Sequence, residues 1–331
     1  MQSSATRPIK SRAAVTIKLS PPLFIICSWK ILSSSPTKFR SSRPQDFRNR
    51  MLADTHLKVV RYVVDGKKLF PTSDIKGGVV ITLHDMTKTF EPIGTFIPFD
   101  ELKSIHQKVV VDNKNFQPLN EIMFASEIYH FTNKLHEDFP DAASKLSAGH
   151  AYDLKTSVFE KLPTIFLDAK PHDGYEYIQI YGLLKMQRDY KWIRRDYVNA
   201  PAPLTKYKVI VPHSNGSGAL GEVVSTPLVG SPLVGCTQTF ITVGAFDTAS
   251  EADACLAYIK TKFCRVMLGI LKVTQHNPPS TWAKVPLQDF SASSDIDWTK
   301  PVAQIDEQLY RKYGLSDAEI KFIESHVKAM E

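Results

Sequence analysis

The chain has 331 residues, with 41 Lys and Arg against 34 Asp and Glu, and a formal net charge of +7. That excess is concentrated at one end: Arg7, Lys10, Arg12, Lys18, Lys30, Lys38, Arg40 and Arg43 all precede Asp46, the first acidic residue. The body beyond them holds 33 basic and 34 acidic residues, so its global charge excludes a uniformly basic nucleic-acid binder, and any contact with DNA must come from local patches.

Residues 1–45 are rich in Ser, Arg and Pro, and their one apolar run, Leu23 to Trp29, lies between Pro21-Pro22 and Lys30. The run is too short to span a bilayer. The segment reads as a disordered or spurious basic leader, with the composition of a mitochondrial transit peptide or of an out-of-frame start. No later segment has the length and apolarity of a membrane span, and a cytoplasmic protein is expected. Cys27, Cys236, Cys255 and Cys264 form no C-x-x-C pair and have no His at ligand spacing. Neither a zinc site nor a disulfide frame is indicated, and buried or free thiols in a reducing compartment are expected.

Along the body, the pattern predicts a short amphipathic helix over Phe47–Thr55 and strands at Leu57–Val64 and Val79–Leu83. Between these strands lies a loop ending in Gly77-Gly78. A strand at Val109–Val111 and a helix from Asn120 to Phe139 follow. Pro140, Gly149 and a loss of periodicity mark a boundary near 140–156. Strands are then expected at Thr164–Leu167, Tyr175–Tyr181, Tyr190–Ile193, Lys206–Val211 and Thr239–Val243. Thr248 with Glu251 forms a capping box opening one strong helix through Ile270, and Ser316 with Glu319 opens a last one.

Four constellations carry possible chemistry. Gly216, Gly218 and Gly221 match G-x-G-x-x-G after a strand, a pattern that cradles a dinucleotide or S-adenosylmethionine when a helix follows; here Val223 to Pro227 is β-like and ends in a breaker. Asn277-Pro278-Pro279-Ser280 resembles the Asn-Pro-Pro-aromatic motif of amino-methylating enzymes, but Ser280 cannot stack on a flipped base. Asp141, with Asp168 and Lys170, matches the loose P-D…D-x-K pattern of metal-dependent nucleases, against the alternative of a solvated strand end. Lys185, Arg188, Lys191, Arg194 and Arg195 interleave with Tyr190, Trp192 and Tyr197, which suits phosphate contact with base packing or an ordinary charged strand pair with core aromatics.

Several stretches together resemble one family. Phe47 to Leu52, Phe70-Pro71 and Asp74 to Val79 are similar to the later part of the catalytic domain of adenine-specific DNA methyltransferases of type II restriction–modification systems. Tyr181-Gly182, Tyr207 to Val209, Cys236 to Thr239, Thr261 to Phe263, Lys272 to His276, Val285 to Phe290 and Leu309 to Leu315 resemble the specificity region of the same enzymes.

The resemblance implies an α/β chain: the C-terminal part of a Rossmann-like methyltransferase sheet over 46–140, then an α+β target-recognition domain with C-terminal helices over 141–331. It implies double-stranded DNA as partner, and methyl transfer from S-adenosylmethionine to adenine in the parent enzyme, with no cofactor, metal or catalytic residue assigned in this chain. The family's donor-binding and catalytic motifs lie upstream of anything like Phe47, which makes the chain a fragment, inactive alone. The Gly216 loop and Asn277 then become DNA-contacting loops. Lys191, Arg194, Arg195, His213, Asn215, Ser217, Gln275, His276 and Asn277 are the candidate DNA-binding residues. The alternatives are a stand-alone specificity subunit docking on a separate catalytic chain, or a restriction endonuclease using Asp141, Asp168 and Lys170.

Overall fold

The computed structural model describes residues 15–17, 23–28, 43–63, 65–72, 79–216 and 218–330. The Asp74–Gly78 stretch, Ser217 and most of the basic leader lie outside the described residues. The chain divides into two units, Met1–Pro98 and Phe99–Glu331, so residues 99–140 belong with the second.

In the first unit, β1 (Val15–Ile17) and β2 (Leu23–Ser28) lie in the segment expected to be a leader. Helix α1 (Arg43–Ala53) leads into β3 (Leu57–Val63), and β4 (Val79–His84) follows. The strands are ordered β1-β2-β4-β3, and every described pairing is antiparallel. Leu57, Val79 and Val80 are at most 1% exposed. A register shift between Val59 and Arg61 leaves Val60 exposed, as a bulge does. The turn after α1 is closed by Asp54, whose carboxylate accepts from the His56 amide at 2.8 Å and meets His84 Nε2 at 3.1 Å.

The second unit opens with α2 (Asp100–His106), which runs on as a π-helical turn over Gln107–Val111. The Val109–Val111 run expected as a strand is therefore helical. A short apolar run is ambiguous by pattern, and here the Asp112 amide closes back on the Gln107 carbonyl at 2.8 Å with Val109 fully buried. The helix expected over 120–139 is also corrected. It opens as a 3-10 turn over Leu119–Ile122, continues as β5 (Met123–Phe124), captured as an edge strand, and is α-helical only over Asn133–Asp138 (α3). Between them His130 and Phe131 bridge to Asp153 and Val198. Long-range pairing overrides a helical spacing there.

Short helices α4 (Ala142–Lys145) and α5 (Val158–Lys161) follow. The strand expected at Thr164–Leu167 makes a single bridge, Leu167 to Trp192. The remaining expected strands form as β6 (Tyr177–Leu184), β7 (Gln187–Arg194), β8 (Tyr207–Pro212) and β11 (Phe240–Phe246). They are joined by β9 (Leu228–Gly230) and β10 (Val234–Cys236). One sheet is β5-β11-β8-β9, antiparallel throughout; the other is β10-β6-β7, with β10 parallel to β6. Ile178, Ile180 and Ile193 turn one face of the second sheet into a core shared with Tyr129, Leu135, Phe159 and Phe240.

The helix from Thr248 has its capping box but divides in two, α6 (Ala249–Lys260) and α7 (Lys262–Leu268). Thr261 stands between them in an extended conformation, its hydroxyl accepting from the Cys264 amide at 3.0 Å. α8 (Val302–Lys312) was not anticipated from the sequence; α9 (Asp317–His326) carries the expected Ser316–Glu319 capping box. Cys236, Cys255 and Cys264 are buried free thiols. The architecture is mixed α/β with several small sheets, and no helix among the described residues is long and apolar enough to cross a membrane.

Candidate nucleic-acid interface

The glycine-rich loop is shaped by its own packing. Gly216, Gly218 and Gly221 have φ of +63°, +91° and +74°, a region only glycine enters without strain. A Cβ on Gly218 would lie 2.3 Å from the Thr274 backbone, and one on Gly221 2.3 Å from the His326 carbonyl. No helix follows: the next element is β9. The place an anion would take is filled by Glu222, whose carboxylate accepts from the Gly218 amide at 2.9 Å and from Lys272 Nζ at 3.5 Å. Lys272 also donates to the Asn215 carbonyl. The space left among these groups is about 10 Å³, room for a water and not for a phosphate.

Two candidate DNA contacts are consumed by the same structure. Asn215 is 5% exposed; its amide donates to the Val223 carbonyl at 2.7 Å and its oxygen accepts from the Ser225 amide and hydroxyl. Asn277 is wholly buried. Its backbone amide donates to the His213 carbonyl at 2.8 Å, and Trp282, the nearest aromatic, is buried too. Neither asparagine reaches a base edge, and Asn277 presents no acceptor to an amino group.

The basic residues on β7 are also engaged internally. Lys191, 8% exposed, pairs with Asp168 and with Asp189 at 2.6 Å; the hydrogen bonds to these two carboxylates hold its ammonium above the usual lysine range. Arg194 pairs with Asp196 at 2.5 Å and Asp138 at 3.3 Å, and its guanidinium lies 3.8 Å from the Tyr175 ring centroid and 4.4 Å from that of Tyr197. Arg195 donates to the Val198 carbonyl, and Arg188 to the carbonyls of Thr226 and Ser225. Of the two readings the sequence left open, phosphate contact or a charged strand pair, these internal bonds fit the second.

The nuclease set is dispersed in the same way. Asp168 is held by Lys191, Lys170 lies over the Trp192 ring, and Asp141 precedes α4 with its carbonyl accepting from Ser144. No group of three or more metal-ligating side chains occurs among the described residues.

What the fold does bring together is His213 with Gln275 and His276. Ser214 and His276 form a bridge, with the Asn215 amide on the Gln275 carbonyl at 2.7 Å. The two imidazoles are 5.9 Å apart, and the Ser214 hydroxyl is 3.2 Å from His276 Nδ1. Gln275 and His276 are exposed. Burial, then the neighbouring His276, lowers the His213 pKa, while Glu127 opposes the shift. At neutral pH, His213 therefore offers one donor and one acceptor nitrogen.

His213 lines an open polar cleft of about 320 Å³ with Ser126, Glu127, Lys155, Thr156, Ser157 and Gln238. The His213 amide is anchored on Thr239, and a hydroxyl chain runs from Thr237 through Thr239 to Thr156 at 3.0 and 3.1 Å. Apart from His213, the cleft residues come from three separate segments, 126–127, 155–157 and Gln238, and form no recognisable motif. Cys236 to Thr239, one of the stretches carrying the family resemblance, was the only sequence pointer to them.

Compared with known proteins, the chain matches no protein-family model and no curated protein.

Proposed function

We propose that this chain is the DNA-recognition part of an adenine-specific methyltransferase of a restriction–modification system, and that it meets duplex DNA at the cleft beside His213 and His276. The observation that carries this reading is that His213 lines an open cleft while the exposed His276, its ring 5.9 Å from that of His213, and the exposed Gln275 stand on the segment bridged to Ser214 beside it. Amides and imidazoles are the groups that read base edges. Stretches similar to the family's specificity region supply Gln238, Gln275 and His276.

Methyl transfer from S-adenosylmethionine to adenine belongs, on this reading, to the parent enzyme's Rossmann-like part. This chain alone is expected not to perform it: Glu222 fills the glycine loop and Asn277 is buried. The antiparallel sheet of the first unit adds no support for a methyltransferase sheet over 46–140, and the proposal rests on the second unit.

Selection of bound duplexes from a randomised pool tests it. A sequence preference should emerge, and the double substitution Gln275→Ala, His276→Ala should weaken the selected duplex about thirtyfold or more while lowering the preference, since each specific base contact contributes about 1–3 kcal/mol. Binding without preference, or binding insensitive to both residues, would sink the reading. Calorimetric titration with S-adenosylmethionine should show no stoichiometric uptake.

A further inference from the structure

The sheet β10-β6-β7 has a second face, opposite Ile178, Ile180 and Ile193, which the core covers at Tyr181 and leaves open at Gln179, Tyr190 and Trp192. On it Gln179 lies in register between Val234 of β10 and Trp192 of β7, and Tyr181 lies opposite Tyr190. An open groove of about 370 Å³ is lined here by Lys170, Tyr177, Gln179, Tyr190, Trp192 and Leu233, among others. We propose that this groove binds an unstacked nucleobase of a DNA strand, with its phosphate on Lys170.

The groove's chemistry selects that occupant. Phe240, Tyr181 and Tyr190 form a run of rings with centroids 4.7 Å apart at each step, and the run ends at Tyr190, which is 37% exposed. A planar heterocycle extends such a run at its open end. The Gln179 carboxamide makes no hydrogen bond to a described residue, so both its donor and its acceptor are free for the polar edge of a base. An aliphatic ligand would leave them unpaired. Lys170 is exposed, sits 5.9 Å from the Trp192 ring centroid, and makes no ion pair with a described residue. It is thus a cation without an internal counter-charge, unlike Lys191 and Arg194. Asp173 faces the same end but accepts from the Tyr177 phenol at 2.7 Å. Leu233 is held at φ +63° with its side chain 46% exposed, a strained conformation that keeps an apolar edge beside the rings.

Titration of the full chain with single-stranded dA and dT octamers, read by tryptophan emission and by anisotropy of the labelled strand, tests the proposal. Saturable binding is expected, weakened about tenfold or more by Trp192→Ala and restored by Trp192→Phe. Tyr190→Ala removes an exposed ring and serves as the second variant should Trp192→Ala disturb the sheet. Lys170→Gln should weaken binding at low salt and flatten its salt dependence. Octamer affinity unchanged in both ring variants overturns the proposal. So does the absence of binding, or binding that vanishes only when the basic residues before Asp46 are neutralised. Ring-dependent octamer binding supports it whether or not duplex DNA binds beside His276, so the two readings fail separately.

Discussion

Asp306 on α8 accepts from the backbone amides of Lys262 at 3.0 Å and Phe263 at 2.8 Å, the first residues of α7. With the Thr261 hydroxyl on the Cys264 amide, three amides at the start of that helix are satisfied. Burial pushes the Asp306 carboxyl up to about 6, with the two amides acting in the opposite direction. A folded-state pKa above the unfolded one means that its favourable contribution is complete below about 4 and is lost as the pH rises through about 6. Denaturant unfolding should therefore show a stability increment between pH 7 and pH 4 that Asp306→Asn removes. Asp306→Ala strands two buried amides and should destabilise the protein by about 2–4 kcal/mol at pH 7. A loss under 1 kcal/mol would mean that water replaces the carboxylate.

At the scale of elements, the hairpin β6-β7 turns through Lys185 and Met186 at φ +49° and +64°, the two positive values of a type I′ turn. Neither residue type favours that region, and Met186 is 82% exposed, so no packing would be lost by changing it. Lys185→Asn with Met186→Gly should raise stability by about 1 kcal/mol, measured by thermal unfolding; a decrease would show that the turn is not the source of strain. Gly182 in β6 is the opposite case, because a Cβ there would lie 2.7 Å from the Phe159 ring and 2.8 Å from the Thr237 methyl. Gly182→Ala should cost about 1–3 kcal/mol by overpacking, lowering the denaturation midpoint.

These elements also show what the sequence discloses. Alternation placed β3, β4, β6, β7, β8 and β11, and Ser/Thr-to-Glu spacing placed both capping boxes, since each signal is local. The hairpin turn had no Asn-Gly to announce it. The break at Thr261 depends on a carboxylate more than forty positions away, and β5 exists because β11 captures it. The site was legible only in part: Gln275 and His276 stood out as polar loop residues, and Asp189 and Asp196 stand two positions from Lys191 and Arg194, but their other acids, Asp168 and Asp138, come from distant segments. The partners that consume Asn215 belong to the loop's folded path, which its glycines permit without announcing.

For the whole molecule, the charge asymmetry determines how DNA binding must be measured. The body's net charge is near −1, and the clustered Lys and Arg of β7 are internally paired. Most nonspecific attraction should then come from the eight basic residues before Asp46. Each phosphate neutralised contributes about −0.9 to the slope of log affinity against log salt. Replacing Arg7, Lys10, Arg12, Lys18, Lys30, Lys38 and Arg40 with Gln changes no residue of β1 or β2 and should make that slope shallower by several units, weakening binding at low salt. The preference for a selected duplex over a scrambled one should survive, because base contacts and phosphate contacts are separate contributions. Filter binding of both duplexes across a salt series distinguishes the cases. Loss of the preference together with the charge would place recognition in the basic segment, and the cleft beside His276 would then have no part in it.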